Sequence, residues 1–201
     1  MVIDAHRVLD FEADLEREAT DHIADGIAPL FAIDTPAGRL ALVVVSDSAG
    51  TATAVQFWAD ALRTGVALAS PERFPWCLAN APCGALARRF GVTGPNSTLL
   101  GEGDALGAAL DTVEDLFALG RVDTAMIVVI CFASAGERGR AMALRLQRAG
   151  DERQAPDLTA LRQASVPLSL RAAIDTASRL LDGSPAPSIA IAAGQMEETA
   201  L

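Results

Sequence analysis

The sequence predicts an α/β domain, a mixed sheet flanked by helices, and three observations carry that prediction. Leu40 to Val45 and Thr124 to Cys131 are unbroken apolar runs of strand length, the pattern of strands covered on both faces. Segments with helical periodicity lie between and after them. The order strand, helix, strand across residues 97–131 requires a crossover connection, so the sheet must be at least partly parallel.

Taken in order, Asp10 to Asp25 reads as an amphipathic helix, with Phe11, Leu15, Ala19 and Ile23 in one stripe and acids opposite. Pro36-Ala37-Gly38 marks a turn into the first strand, Leu40 to Val45. Thr53 to Arg63 is a second helix ending near Gly65, and Pro75 to Phe90 a third with Gly91 at its C-terminal end. Gly94-Pro95-Asn96 turns into a short strand, Ser97 to Leu100. Asp104 is a good N-cap for a long helix to Leu119, which Gly120 stops. After the strand Thr124 to Cys131, the stretch Gly136 to Ala149 suits a charged, exposed helix. Residues 150–167 are polar and ambiguous. Leu170 to Leu181 reads as a helix, Ser188 to Ala193 as a last strand, and 195–201 as a loose tail. No internal repeat and no long linker divides the chain, so residues 1–201 are read as a single domain.

Composition narrows the function. The chain is 51% apolar and 21% charged, which is globular rather than disordered, and a chain of 201 residues buries enough surface to need no covalent staples. There is no Tyr, and aromatics make up 4%, so aliphatic packing carries the core. All 16 basic residues are Arg, which excludes a lysine Schiff base or a phosphate-binding lysine. The net charge of -10 argues against nucleic acid and anionic membrane as partners. Cys77, Cys83 and Cys131 form an odd set without C-x-x-C spacing, which suits reduced thiols in a cytoplasm. Neither a signal peptide nor a membrane-spanning run is read in the sequence.

Several clusters invite a chemical reading. Gly101, Gly103 and Gly107 sit where a strand turns into a helix, as in phosphate-binding loops, but the spacing is not G-x-G-x-x-G, and Glu102 and Asp104 would repel a phosphate. Glu12, Glu16, Glu18, Asp21, His22 and Asp25 resemble a metal cluster, yet read more simply as a solvated acidic helix face. Neither a cofactor nor a metal is therefore expected. Ser46-Asp47-Ser48 follows a strand but is no G-x-S-x-G elbow, and the only histidines are His6 and His22. Cys83 and Cys131 read as small apolar residues.

One stretch is more specific. Ser70-Pro71, Phe74-Pro75, Asn80-Ala81-Pro82, Gly84, Ala87 and then Arg89-Phe90-Gly91-Val92-Thr93-Gly94-Pro95-Asn96 resemble the β-ketoacyl synthase family, which carries a run of the type S-P-x-x-F-x-x-x-x-x-N-x-x-x-G-x-x-A-x-x-x-G-x-x-G-P-N. The similarity is good over residues 40–131 and continues through a short strand, an elbow, a helix and the step Gly120-Arg121-Val122-Asp123 into the next strand. The resemblance implies the N-terminal half of a thiolase-type fold. It also places Gly103 where the family carries its nucleophilic cysteine, in an elbow whose positive-φ backbone a glycine would accept. The family's two later histidines have no counterpart, since no histidine follows His22; Ala193 stands at one of those positions.

By this resemblance the chain is expected to be no enzyme on its own. It is expected to be a chain-length-factor-like partner of an active ketosynthase subunit, with acyl carrier protein as a possible further partner and a homodimer as the fallback. In the family the strand before the elbow pairs across the dimer axis, which makes Ser97, Thr98, Leu99 and Leu100 the interface candidates. Two other readings stay open: a stand-alone acyl-carrier or acyl-chain binding module, and a thioester hydrolase or decarboxylase using Asp104 or Glu102.

Overall fold

The computed structural model describes residues 1–13, 15–132, 138–148, 158–164 and 169–183. One five-stranded mixed sheet organises them, in the order β1-β5-β4-β2-β3. Its strands are β1 (Val2–Phe11), β2 (Leu40–Ser46), β3 (Asn96–Leu100), β4 (Thr124–Cys131) and β5 (Gly139–Gln147). β3, β2 and β4 are parallel, whereas β5 runs antiparallel to both β4 and β1. The three segments expected to share a sheet do so. The helices are α1 (Glu16–Ile27), α2 (Thr51–Thr64), α3 (Ala81–Phe90), α4 (Asp104–Ala118), α5 (Leu158–Ala164) and α6 (Leu170–Leu181).

Alternation along the central strands builds two cores. Val43, Val45, Ile127 and Val129 face one side with α4, α5 and α6; Leu42, Val44, Met126 and Val128 face the other with α1 and α3. Every residue of β2 and β4 is buried, so neither strand can afford a polar face and both read as unbroken apolar runs.

Four expectations need correction. The helix placed at Asp10 to Asp25 starts only at Glu16, because Asp10 and Phe11 end β1, a strand the sequence reading did not find. Its charges are satisfied across the sheet: Arg145 Nε donates to Asp4 Oδ2 at 2.9 Å and Arg140 Nη1 to Asp10 Oδ1 at 2.9 Å. The exposed helix at Gly136 to Ala149 is instead β5, a buried strand at Gly139–Gln147 between β1 and β4. Met142, Leu144 and Leu146 enter one core and Ala141 and Ala143 the other, a period of two. The helix at Pro75 to Phe90 is split into a 3₁₀ turn at Phe74–Cys77 and α3 from Ala81, with a proline in the first turn of each. Finally, Gly103 rather than Asp104 occupies the N-cap of α4, with φ -56° and ψ -30°, so the elbow has no positive φ. The strand expected at Ser188 to Ala193, Ala193 itself and the tail 195–201 lie outside the described residues.

Candidate functional site

The parallel strands β2, β3 and β4 end together at Ser46, Leu100 and Cys131, and the chain turns there into α2 and α4. A cavity of about 640 Å³ opens at these ends, lined by Glu16, Asp47, Ser48, Glu102, Cys131 and Arg171 among others. The carboxyl ends of parallel strands are where an α/β sheet leaves backbone groups and helix N-termini free to meet a ligand.

The sequence candidates distribute around it unevenly. Ser46 is buried and its hydroxyl accepts from the Ser48 and Ala49 N–H groups at 3.3 and 3.1 Å, which makes it a turn former rather than a nucleophile. Ser48 donates to Asp47 at 2.7 Å. No histidine lines the cavity: His6 Nε2 lies 3.1 Å from Asp182 Oδ1, and His22 is exposed on α1. Cys131 donates its thiol proton to Asp47 at 3.3 Å. Burial, then the Asp47 charge and that hydrogen bond, push its pKa from 9.0 to about 11, and nearby Arg171 offsets only part of this. Cys131 is thus a protonated thiol at neutral pH. Cys83 is buried, with its thiol donating to the Ser97 carbonyl at 3.5 Å, and burial raises its pKa too.

The acidic run on α1 is not uniformly solvated. Glu18, Asp21, His22 and Asp25 are exposed, and Asp25 accepts from Arg89 at 2.8 Å. Glu16 is buried, with 4% exposure, and accepts the Gly50 N–H at 2.9 Å. It thereby caps α2 from another helix. Burial raises its pKa, against hydrogen bonds from Gly50, Thr53 and Ala52 that favour the carboxylate. The signal was present in the sequence, since Glu16 falls on the apolar stripe with Ala19, Thr20, Ile23 and Ile27. Arg171 gave no such signal; α6 brings it to the cavity from the far end of the chain, where it donates to the Arg138 carbonyl.

The interface candidates lie on β3. This is the outer strand of the sheet, hydrogen-bonded only to β2 among the described residues. Ser97, Thr98 and Leu99 are half-buried, while Leu100 is 57% exposed. Leu99 packs on the α4–α6 core, so Leu100 is the apolar side chain this edge presents. The elbow that follows is tied to β2 by the Gly101 N–H, which donates to the Ser46 carbonyl at 3.1 Å.

No family model matches the sequence, and no curated protein matches it. Solved structures do. The ishigamide ketosynthase/chain length factor matches with TM-score 0.53 and 17% identity, over 61% of this chain and 39% of that one. The ketosynthase ApeO in complex with its chain length factor ApeC from Xenorhabdus doucetiae matches with TM-score 0.54 and 15% identity, over 69% of this chain and 63% of that one. AntDE:AntF, a type II polyketide synthase acyl-carrier protein with its ketosynthase, matches with TM-score 0.52 and 13% identity, over 62% and 44%. The chain therefore spans from about two fifths to under two thirds of these three chains. At these identities the likeness is one of fold. The mixed sheet between its two helical layers matches part of the fold of these ketosynthase and chain-length-factor structures.

Proposed function

We propose that the chain is a non-catalytic, chain-length-factor-like subunit that pairs with a catalytically complete ketosynthase of a polyketide, polyene or fatty-acid-type system. The observation that carries this reading is the open β3 edge beside an elbow whose proposed nucleophile position is Gly103. An exposed strand edge with an apolar side chain at its end invites pairing with another chain. Cys131, the thiol that lines the adjoining cavity, is held protonated by burial and Asp47, and so is a poor nucleophile.

The test is co-expression with the ketosynthase subunits of the source organism, followed by size exclusion with light scattering. A one-to-one complex with an interface on the order of 2,000 Å² in total is expected. Leu100→Arg should disrupt it, because a desolvated guanidinium without a partner is costly at an interface. A chain that stays monomeric with every ketosynthase offered, yet binds carrier protein alone, would replace this reading with the binding module.

A further inference from the structure

The cavity at the ends of β2, β3 and β4 plays no part in the pairing proposed above. Its volume of about 640 Å³ lies in the range of small-molecule sites, about 300–1,000 Å³. Three carboxylates line it, Glu16, Asp47 and Glu102, against one guanidinium, Arg171. Asp47 and Glu102 are exposed, whereas Glu16 is buried to all but 4%. Glu16 Oε2 accepts the Gly50 N–H at 2.9 Å. Ala52 and Thr53 favour its charge from nearby, but among the described residues no donor meets its Oε1 in hydrogen-bond geometry. An unmet buried acceptor keeps its full desolvation cost, so this oxygen calls for a donor from outside the chain.

The charge balance sets the kind of ligand. The N-termini of α2 and α4 open at the same end of the sheet, and each carries roughly half a positive charge. Together with Arg171 they offset about two of the three carboxylates, which leaves a surplus of about one negative charge. Among the described residues, no three His, Cys, Asp or Glu side chains are arranged to hold a metal ion. Phe132 adds an aromatic wall, held edge to face against Phe11 with 6.5 Å between ring centroids. Such a ring attracts a cation and packs against an apolar body. We infer that the cavity binds an organic monocation, a protonated primary amine with an apolar chain or ring, held by its charge among Glu16, Asp47 and Glu102. Its ammonium group has three N–H donors and no acceptor, and so supplies the donor that Glu16 Oε1 lacks. A carboxylate of the same shape would meet the surplus negative charge and be repelled.

The test titrates the full chain with two ligands of one shape and opposite charge, phenethylamine and 3-phenylpropionate, followed by amide NMR shifts. The amine should bind about 10-fold or more tightly than the carboxylate, and the amides of Asp47, Ser48, Thr51 and Cys131 should report it. Asp47→Asn with Glu102→Gln changes two exposed positions, so this variant should melt with the wild type while its Kd for the amine rises about 10-fold or more. Glu16→Gln keeps an acceptor for the Gly50 N–H and sheds the charge, and should weaken the amine by a similar factor. Glu18→Gln with Asp21→Asn removes two charges from the exposed face of α1, and should leave the Kd within about twofold because solvent screens that face. Equal weakening by the α1 variant would reduce the effect to general attraction by an acidic surface and overturn the inference. So would tighter binding of the carboxylate, or unchanged amine binding in either cavity variant. The absence of saturable binding by both phenethylamine and hexylamine at millimolar concentration would overturn it as well. None of these outcomes depends on whether the chain pairs with a ketosynthase.

Discussion

Glu16 ties α1 to the start of α2, and its removal has a calculable effect. Gly50, the N-cap of α2, lies at φ 83° and has no side chain to offer the first turn. Glu16 supplies the acceptor from α1, at 2.9 Å from the Gly50 nitrogen. Glu16→Ala leaves that buried N–H unpaired, a loss of about 1–3 kcal/mol, in line with the roughly 1 kcal/mol typical of a lost N-cap. Relief of the buried charge returns part of this, so a net loss of about 2 kcal/mol is expected at pH 7. For a chain of this size that lowers the Tm by about 4–8 °C. Glu16→Gln keeps an acceptor oxygen and sheds the charge, so it should retain most of the stability. The pH dependence has a definite sign. The folded-state pKa lies above the ordinary 4.5, so the folded protein takes up the proton before the unfolded chain does. The contribution of Glu16 therefore rises as pH falls through the folded pKa toward 4.5, and is smallest at neutral pH. Thermal melts of the three proteins between pH 4.5 and 7.5, with limited proteolysis at residues 51–80, test this. Equal melting of the Ala and Gln variants, or a silent Ala variant, would refute the capping role.

Two further outcomes follow from the packing. Gly139→Ala would drive a Cβ into the fully buried Phe11 ring, and the resulting overpacking should cost about 1–3 kcal/mol, read as a lower denaturation midpoint at unchanged slope. Cys131, with its pKa near 11 instead of 9.0, should be alkylated by iodoacetamide at pH 7.5 on the order of 10-fold more slowly than an ordinary thiol, because a thiolate fraction about 100-fold smaller is partly offset by the greater nucleophilicity of the more basic thiolate. Asp47→Asn should speed that reaction by removing the charge.

The parts legible in the sequence are those whose signal is local. β2 and β4 are buried on both faces, so their apolar runs mark them directly, and Leu170 to Leu181 is α6 to the residue. β5 was hidden because Ala, Met, Leu and Arg are all strong helix formers, and its Arg140 and Arg145 read as an exposed charged face. What makes it a strand is distant: Asp10 and Asp4 on β1 neutralise those arginines across the sheet, more than 100 residues away in sequence. β1 was missed for the reciprocal reason, since its acids look solvated until β5 is beside them. The edge position of β3 followed from the family pattern. The exposure of α2 did not, because Val55, Trp58 and Leu62 have the periodicity of a core-facing helix, yet all three are exposed.

The proposed loss of catalysis is testable at Gly103, where two effects compete. The backbone there is ordinary right-handed helix, at φ -56° and ψ -30°, which any L-residue adopts. Conformation thus does not demand glycine, and Gly103→Cys should fold, as circular dichroism can verify. The new thiol would sit at the N-terminus of the 15-residue α4, whose dipole favours a thiolate. Glu102 and Asp104 flank it in sequence, and their negative charges disfavour one. Neither histidine lines the adjoining cavity to act as base or to hold a developing oxyanion. The variant should therefore be alkylated no faster than an ordinary cysteine. Incubated with acyl and malonyl thioesters it should yield no condensation product, whether followed by intact mass or by product chromatography. Turnover by the variant alone would mean that the missing thiol was the only defect, and that the chain keeps the rest of a synthase site.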